Sequence, residues 1–277
     1  MNQITKLVDS VKLENNLLEG IISASKITED ITSGIRNAIN DYMKEINQFD
    51  WKTLLEETEQ DLDVFKLAIV AMGYPPHSAL DIPTIRMIAN FYKEDSNYTK
   101  TIIDQIMLDY YDQDLINDLH SLWEKRESLN GRIPILREVI MAHNLGFYNV
   151  AVPTLLSQFE GLLIDSFQVT GYVNGEIINT LLDIVFNKEN DIIWSFNKAI
   201  NKYYKDNILV SFKHGEKLKS FISRNAILHG ADMKYGSKVN SLKIILLFDY
   251  IVYSLESLTQ EDISSAQLKI REIRKKR

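Results

Sequence analysis

Apolar residues recur along most of the chain at the three- and four-residue spacing of an amphipathic helix. The segment "TIIDQIMLDYYDQDLINDLHSLWEK" is the clearest example, and its apolar stripe consists of Ile102, Ile103, Ile106, Met107 and Tyr110, followed by Leu115, Ile116, Leu119, Leu122 and Trp123. The alternation of apolar and polar positions that indicates a β-strand is hard to find. The pattern therefore predicts an all-α protein.

Two breaks in this pattern contain proline and glycine, which interrupt helices and indicate loops. They are "MGYPPHSALDIP", from Met72 to Pro83, and "ESLNGRIP", from Glu127 to Pro134. The second break predicts a boundary between a helical N-terminal domain, 1–130, and a helical bundle, 131–260, followed by a charged tail, 261–277. The expected helices lie at about 3–18, 28–47, 51–71, 83–94, 98–127, 134–145, 149–171, 175–187, 190–205, 210–222 and 239–258.

The composition indicates a globular protein, because 45% of the 277 residues are hydrophobic and 25% are charged. The chain has no cysteine, which excludes disulfides, thiolate metal sites and a cysteine nucleophile. We find no secretory signal pattern, and no apolar stretch approaches the ~18 residues expected of a membrane span. We therefore expect a cytoplasmic protein that does not enter a membrane.

Charge is distributed unevenly along the chain. The net charge is −7, which argues against a general nucleic-acid coat protein. The window from Lys213 to Lys243, however, contains seven basic and two acidic residues, so it carries +5 while the rest carries −12. A local positive field on an acidic protein can attract a phosphate backbone, although a solvated lysine-rich face has the same composition.

Several common chemistries have no support in the sequence. The acidic stretches 56–63 and 109–120 lack the glycine turn of a calcium loop, and we interpret them as solvated helix faces. There is no His-Glu-x-x-His zinc motif, glycine-rich phosphate loop or Gly-x-Ser-x-Gly elbow. We predict no metal and no cofactor. Four histidines have no pattern around them and are expected to be structural or exposed: His77, His120, His143 and His214.

The segment "SRNAILHGADMKYGS", from Ser223 to Ser237, lies inside the basic window and contains the candidate site residues Arg224, Asn225 and His229. Residues five apart on a helix are rotated by about 140°, so the arginine and the histidine do not share a face. A structural interpretation is open: Arg224 could pair with Glu160 or Asp165, and His229 could cap a helix. The alternative is a site that binds phosphate.

The motif "RNAILHG" resembles the R-x4-6-H signature of the HEPN superfamily, including the polar residue after the arginine. The flanking segments "GRIPILREVIMAHNLGFYNVAVPTLLSQFEGLLIDSF" and "GSKVNSLKIILLFDYIVYSLESL" resemble the opening helical hairpin and the long final helix of such domains. The resemblance covers roughly residues 132–260. It implies an up-and-down helical bundle, usually dimeric, in which the two motifs meet at a shared cleft.

Many HEPN proteins are metal-independent endoribonucleases of toxin–antitoxin, abortive-infection and other phage-defence systems, so the resemblance implies that function here. RNA carries its own nucleophile, the 2′-hydroxyl, and cleavage gives a 2′,3′-cyclic phosphate and a 5′-hydroxyl. Histidine suits the proton transfers, and arginine can hold two phosphate oxygens. We expect Arg224 to bind the phosphate, His229 to transfer protons and Asn225 to orient one of them, while Lys234 and Lys238 hold the RNA.

One histidine in the motif is too few for both an acid and a base, so we expect a homodimer with a composite site. An antitoxin or another regulatory partner is also expected. The alternative is a non-catalytic helical module that binds RNA or a partner protein and retains the motif for structure. The basic cluster "REIRKKR" in the tail could touch nucleic acid, but we interpret it as a frayed, solvated helix end.

Overall fold

The computed structural model describes residues 33–37, 51–186, 196–220 and 222–276. The predicted helix 3–18 lies outside these residues, and of the predicted helix 28–47 only 33–37 are described, which are helical. The described residues form helices and turns and contain no strand, which confirms the all-α prediction.

Eleven α-helices lie within the described part of residues 51–276. They are α1 (Trp51–Ala71), α2 (Ile82–Glu94), α3 (Ser96–Tyr110), α4 (Gln113–Trp123), α5 (Ile133–Asn144), α6 (Tyr148–Ser166), α7 (Gly175–Phe186), α8 (Asn197–Tyr203), α9 (Arg224–Leu228), α10 (Lys238–Leu255) and α11 (Gln260–Lys275). A 3₁₀ turn covers Glu127–Leu129, and a π-helical turn, Tyr204–Ile208, continues α8.

Helix α10 is the centre of the fold. Its residues from Ile244 to Val252 are all buried, so the helix is surrounded by protein on every side. A helix that is apolar all round must be covered on all faces, and α3, α6 and α7 pack against it. Helix α6 also packs against α5, and the two form a helical hairpin.

The predicted helix 98–127 is interrupted at Tyr111 and Asp112, where α3 ends and α4 begins. The Asp112 carboxylate accepts a hydrogen bond from the Leu115 amide at 2.9 Å, which is the geometry of a helix N-cap. Tyr111 is buried at this corner. The apolar stripe continues across the break, and therefore the hydrophobic pattern alone did not reveal it.

Position 130, where the sequence predicted a domain boundary, lies inside one compact unit, residues 57–277. Trp123 Nε1 donates to Asp249 Oδ1 at 2.6 Å, and His77 Nε2 lies 3.0 Å from Asp249 Oδ2. Residues from both sides of the predicted boundary thus share one core.

Residues 210–220, which were predicted to be helical, have no helix in the structure. Gly215 adopts a φ of +82°, which a right-handed helix cannot contain. Most side chains of this segment are exposed. We call residues 209–220 the basic loop, because it contains Lys213, Lys217 and Lys219.

The segment 261–277, expected to be a charged tail, contains most of helix α11, and the basic end of that helix, residues 271–276, is mostly exposed. A capping box between Thr259 and Asp262 begins the helix. Its residues Ile263, Ala266 and Ile270 are buried, and the helix packs against α7. These few apolar positions, placed among many charges, hold the helix in place.

Candidate functional site

The candidate motif begins a short helix, α9, that is anchored by its apolar residues. The Ser223 hydroxyl accepts a hydrogen bond from the Ala226 amide at 3.3 Å and donates one to the Val210 carbonyl at 2.9 Å. Ala226 and Ile227 are buried, and α9 packs against α6. Ser223 therefore ties the start of α9 to the basic loop, and the polar residues of the motif project from a fixed support.

Arg224 is held by an ion pair with α6. Its Nη2 lies 2.8 Å from Glu160 Oε2, and its Nη1 donates to Asn225 Oδ1 at 3.2 Å. The Arg224 and Glu160 side chains are 23% and 22% exposed, so solvent reaches both. This pairing is one of the two structural alternatives left open by the sequence. Asp165, the other possible partner, is instead 2.5 Å from Arg132 Nη2.

Buried polar atoms without partners lie beside this ion pair. The Arg224 Nε and the Tyr204 hydroxyl are both buried and have no hydrogen-bond partner among the described residues. Burial raises the pKa of the Tyr204 hydroxyl; the charge of Glu160 adds to this effect and that of Arg224 opposes it. Burial also raises the pKa of the Glu160 carboxyl, against the influence of Arg224. The cluster is thus a partly dry site with unused hydrogen-bonding capacity.

His229 follows the last residue of the short helix and is exposed. It is the residue that ends α9, and its backbone N–H donates to the Asn225 carbonyl at 3.1 Å. Its ring stacks on Phe212 of the basic loop, with centroids 6.0 Å apart and planes inclined by 28°. Within the described part of the chain the imidazole makes no hydrogen bond or ion pair, so both ring nitrogens are available to a ligand.

The structure joins the side chains of Arg224 and Asn225, whereas among the described residues the His229 side chain makes no hydrogen bond to either. Helix geometry places the Cα atoms of Arg224 and His229 about 9 Å apart. The side chains of an arginine and a histidine are long enough to reach one phosphodiester group from that separation.

The predicted RNA-binding lysines are both exposed. Lys238 is the first residue of α10, and Lys234 lies in the loop between α9 and α10. The Lys234 backbone N–H donates to Asp232 Oδ1 at 2.7 Å, which shapes that loop. In the described residues the ammonium groups of the two lysines form no ion pair, so they can add positive potential beside the motif.

Three other histidines are structural. His77, for which the sequence suggested no partner, is buried, with Nδ1 at 3.0 Å from the Tyr111 hydroxyl and Nε2 at 3.0 Å from Asp249 Oδ2. The sequence contains one sign of this network, which is the aspartate inside the apolar run "IILLFDYIVY". His143 is buried against Ser241, with Nδ1 at 2.8 Å from its hydroxyl. His120 lies 3.7 Å from Glu124 and is partly buried.

The sequence did not identify Tyr204 and Phe212 as residues of this site, and it treated Glu160 only as a possible partner of Arg224. No spacing rule links these residues to the motif. They come from α6, from the π-helical turn after α8 and from the basic loop. His214, also in the basic loop, has its ring 5.0 Å from that of Phe212, measured between centroids.

Comparison of the chain with known protein families, with curated proteins and with solved structures found no match. Residues 51–186, 196–220 and 222–276 contain no group of three or more histidines or carboxylates placed to hold a metal ion. In the same described segments, no helix combines the length and the apolar character that crossing a membrane requires.

Proposed function

We propose that this protein is a metal-independent endoribonuclease of the HEPN type that cleaves single-stranded RNA. The observation that carries the proposal is the placement of the motif. One short, anchored helix presents a partly exposed arginine, an asparagine bonded to it and an exposed histidine with free ring nitrogens, beside a basic loop. We further propose a role in phage defence or in a toxin–antitoxin system, which follows from the resemblance of the motif.

The proposed mechanism assigns each residue one task. Arg224 turns its guanidinium to the scissile phosphate and stabilises the charge that develops on its oxygens. His229 exchanges a proton with the substrate, and Asn225 orients either the imidazole or a phosphate oxygen. Lys234 and Lys238 bind the backbone on either side. The 2′-hydroxyl attacks phosphorus, the bond to the 5′-oxygen breaks, and a cyclic phosphate and a 5′-hydroxyl result.

The proposal includes a homodimer with a composite site, in which two motifs supply two arginines and two histidines. A regulatory partner such as an antitoxin would then act by covering the motif or by preventing pairing. The exposed position of His229 supports both ideas, because the side chain can be reached by a second chain as well as by RNA.

The test is cleavage of single-stranded RNA by the purified protein in EDTA. We expect cleavage with 2′,3′-cyclic phosphate ends, and we expect His229→Ala to reduce the rate by about 10²–10⁴-fold. A matched control is His120→Ala, which removes a histidine outside the motif. Cleavage by His229→Ala at the rate of the unmodified protein would contradict the mechanism.

A second candidate function is supported by the ion pair between Arg224 and Glu160. In a non-catalytic module that binds RNA or a partner protein, this pair would hold α9 on α6 and the motif would be structural. Expression in a bacterial host distinguishes the two functions. A nuclease slows growth and His229→Ala relieves the effect, whereas a binding module gives the same growth with either residue.

A further inference from the structure

We propose that His214 is the second proton-transfer residue of the candidate site and that it acts from the same chain as His229. The inference rests on the proposed ribonuclease function and replaces one part of it, the supply of the second histidine by a second chain. A single motif contains one histidine, which was the chemical reason to expect that a second copy completes the site. The structure brings another imidazole of the same chain to the same aromatic ring.

Phe212 connects the two histidines. Its ring stacks on His229 with centroids 6.0 Å apart, and it meets His214 edge-on with centroids 5.0 Å apart. The two imidazole centroids therefore lie at most about 11 Å apart. In an in-line displacement, a base and an acid must each come within about 2.6–3.2 Å of one of two oxygens on opposite sides of phosphorus. This upper limit is short enough for the two imidazoles to reach oxygens of one phosphodiester bound beside Phe212.

Both imidazoles are available for chemistry. His214 and His229 are exposed, and in the described residues neither forms a hydrogen bond or an ion pair. His77 and His143, in contrast, are buried and hydrogen-bonded. The ring nitrogens of His214 and His229 are thus the imidazole nitrogens that a substrate can reach without displacing a protein partner.

The surroundings of His214 suit an anionic substrate. Lys213 lies next to it and pairs loosely with Glu216, at 3.4 Å, while Lys217 and Lys219 are exposed further along the basic loop. The chain turns directly after His214, because Gly215 has a positive φ. The loop therefore presents one imidazole among three ammonium groups, a combination that attracts phosphate.

In the proposed step, the protons taken up and released balance within one chain. One imidazole, unprotonated, removes the proton of the 2′-hydroxyl as the 2′-oxygen bonds to phosphorus. The other, protonated, gives its proton to the 5′-oxygen as the bond from phosphorus to that oxygen breaks. The two histidines end in exchanged protonation states and reset through solvent.

The first test measures cleavage of RNA in EDTA by His214→Phe, which keeps an aromatic ring against Phe212 but cannot transfer protons. We expect a loss of about 10²–10⁴-fold, as for His229→Ala. His120→Phe is the matched control, because His120 also meets an aromatic ring edge-on, that of Trp123. Unchanged cleavage by His214→Phe, with His229→Ala inactive, would overturn this inference and leave the proposed function intact.

The second test assigns the roles with an RNA that carries sulfur in place of the scissile 5′-oxygen. A thiolate leaves without a proton, so this substrate restores cleavage to the variant that lacks the acid and not to the one that lacks the base. We expect rescue of one of His214→Phe and His229→Ala only. Rescue of neither variant, or of both, would show that the two residues do not divide the proton transfers.

The third test determines whether the two histidines of a site come from one chain or from two. It measures cleavage by a mixture of His214→Phe and His229→Ala. If both histidines of a site come from one chain, no mixed assembly contains an intact site and the mixture stays inactive. If His214 of one chain served His229 of another, a mixed dimer would contain one complete site. Recovery of cleavage on mixing would overturn the same-chain arrangement.

Discussion

The core around α10 and the basic loop beside α9 use histidine in opposite ways. In the core, His77 and His143 are buried and hydrogen-bonded to Asp249 and Ser241. At the loop, His214 and His229 are exposed and both contact the ring of Phe212. All are the same residue type in one compact unit, and yet their surroundings differ: the first pair is fixed in the core and the second is open to solvent.

The difference lies in what happens to the ring nitrogens. The Ala79 amide donates to His77 Nδ1 at 3.3 Å, which assigns the ring proton to Nε2 and directs it to Asp249. Both nitrogens of His77 are then occupied, and a bound phosphate could not use them. A histidine whose ring nitrogens are unbonded and exposed to solvent can exchange protons with a substrate. Substitutions of the buried histidines should therefore change stability, and substitutions of the exposed ones should change activity.

The largest effect on stability is expected from Asp249→Ala. The carboxylate accepts from Trp123 Nε1 at 2.6 Å and contacts His77, and both groups would be left buried without an acceptor. We expect a loss of about 3–5 kcal/mol in the free energy of unfolding, measured by urea denaturation. Asp249→Asn, which keeps one acceptor, should lose less.

The control for this prediction is His229→Ala, which should change the free energy of unfolding by about 0.5 kcal/mol or less because its ring is exposed. An equally large loss in His229→Ala would erase the distinction between the two groups of histidines.

The next effect concerns pH and His143. Burial, with a contribution from the positive charge of Lys238, lowers the pKa of His143 to about 4. The unfolded chain therefore binds the proton more tightly than the folded one. The stability from the neutral ring is complete above pH 6.5 and is lost as the pH falls from about 6.5 to about 4. The expected loss is roughly 2–3 kcal/mol.

The variant His143→Gln tests this prediction, because glutamine can bond to Ser241 and does not titrate. The difference in unfolding free energy between it and the unmodified protein should change between pH 7 and pH 4. A difference that stays constant across this range would show that protonation of His143 is not linked to unfolding.

The smallest effect is expected at the ion pair of the candidate site. Arg224→Ala leaves the half-buried Glu160 carboxylate without its cation, while Glu160→Gln removes the negative charge and keeps an acceptor. A double-mutant cycle of these changes should give a coupling of about 1 kcal/mol, because both side chains are partly exposed. A coupling near zero would mean that the pair does not stabilise the fold. The structural interpretation of the motif would then lose its support.

The α5–α6 hairpin and α10 could be predicted as helices, because apolar residues that recur at helical spacing over many turns fit no other regular structure. The sequence also located the candidate motif, since Arg224 and His229 stand in a basic window that the rest of the acidic chain lacks. Two helix predictions failed because of individual residues. A capping aspartate divides the helix predicted at 98–127, and Gly215 is incompatible with the helix predicted at 210–222.

The sequence by itself thus determined the helical class, most helices after residue 50 and the residues worth testing. Only the tertiary structure decided that Glu160 faces Arg224, that His77 lies against Asp249 and that Phe212 contacts two imidazoles. Helical periodicity is a property of residues within a few turns of each other. These contacts join residues that are up to 172 positions apart, and they depend on how whole helices pack around α10.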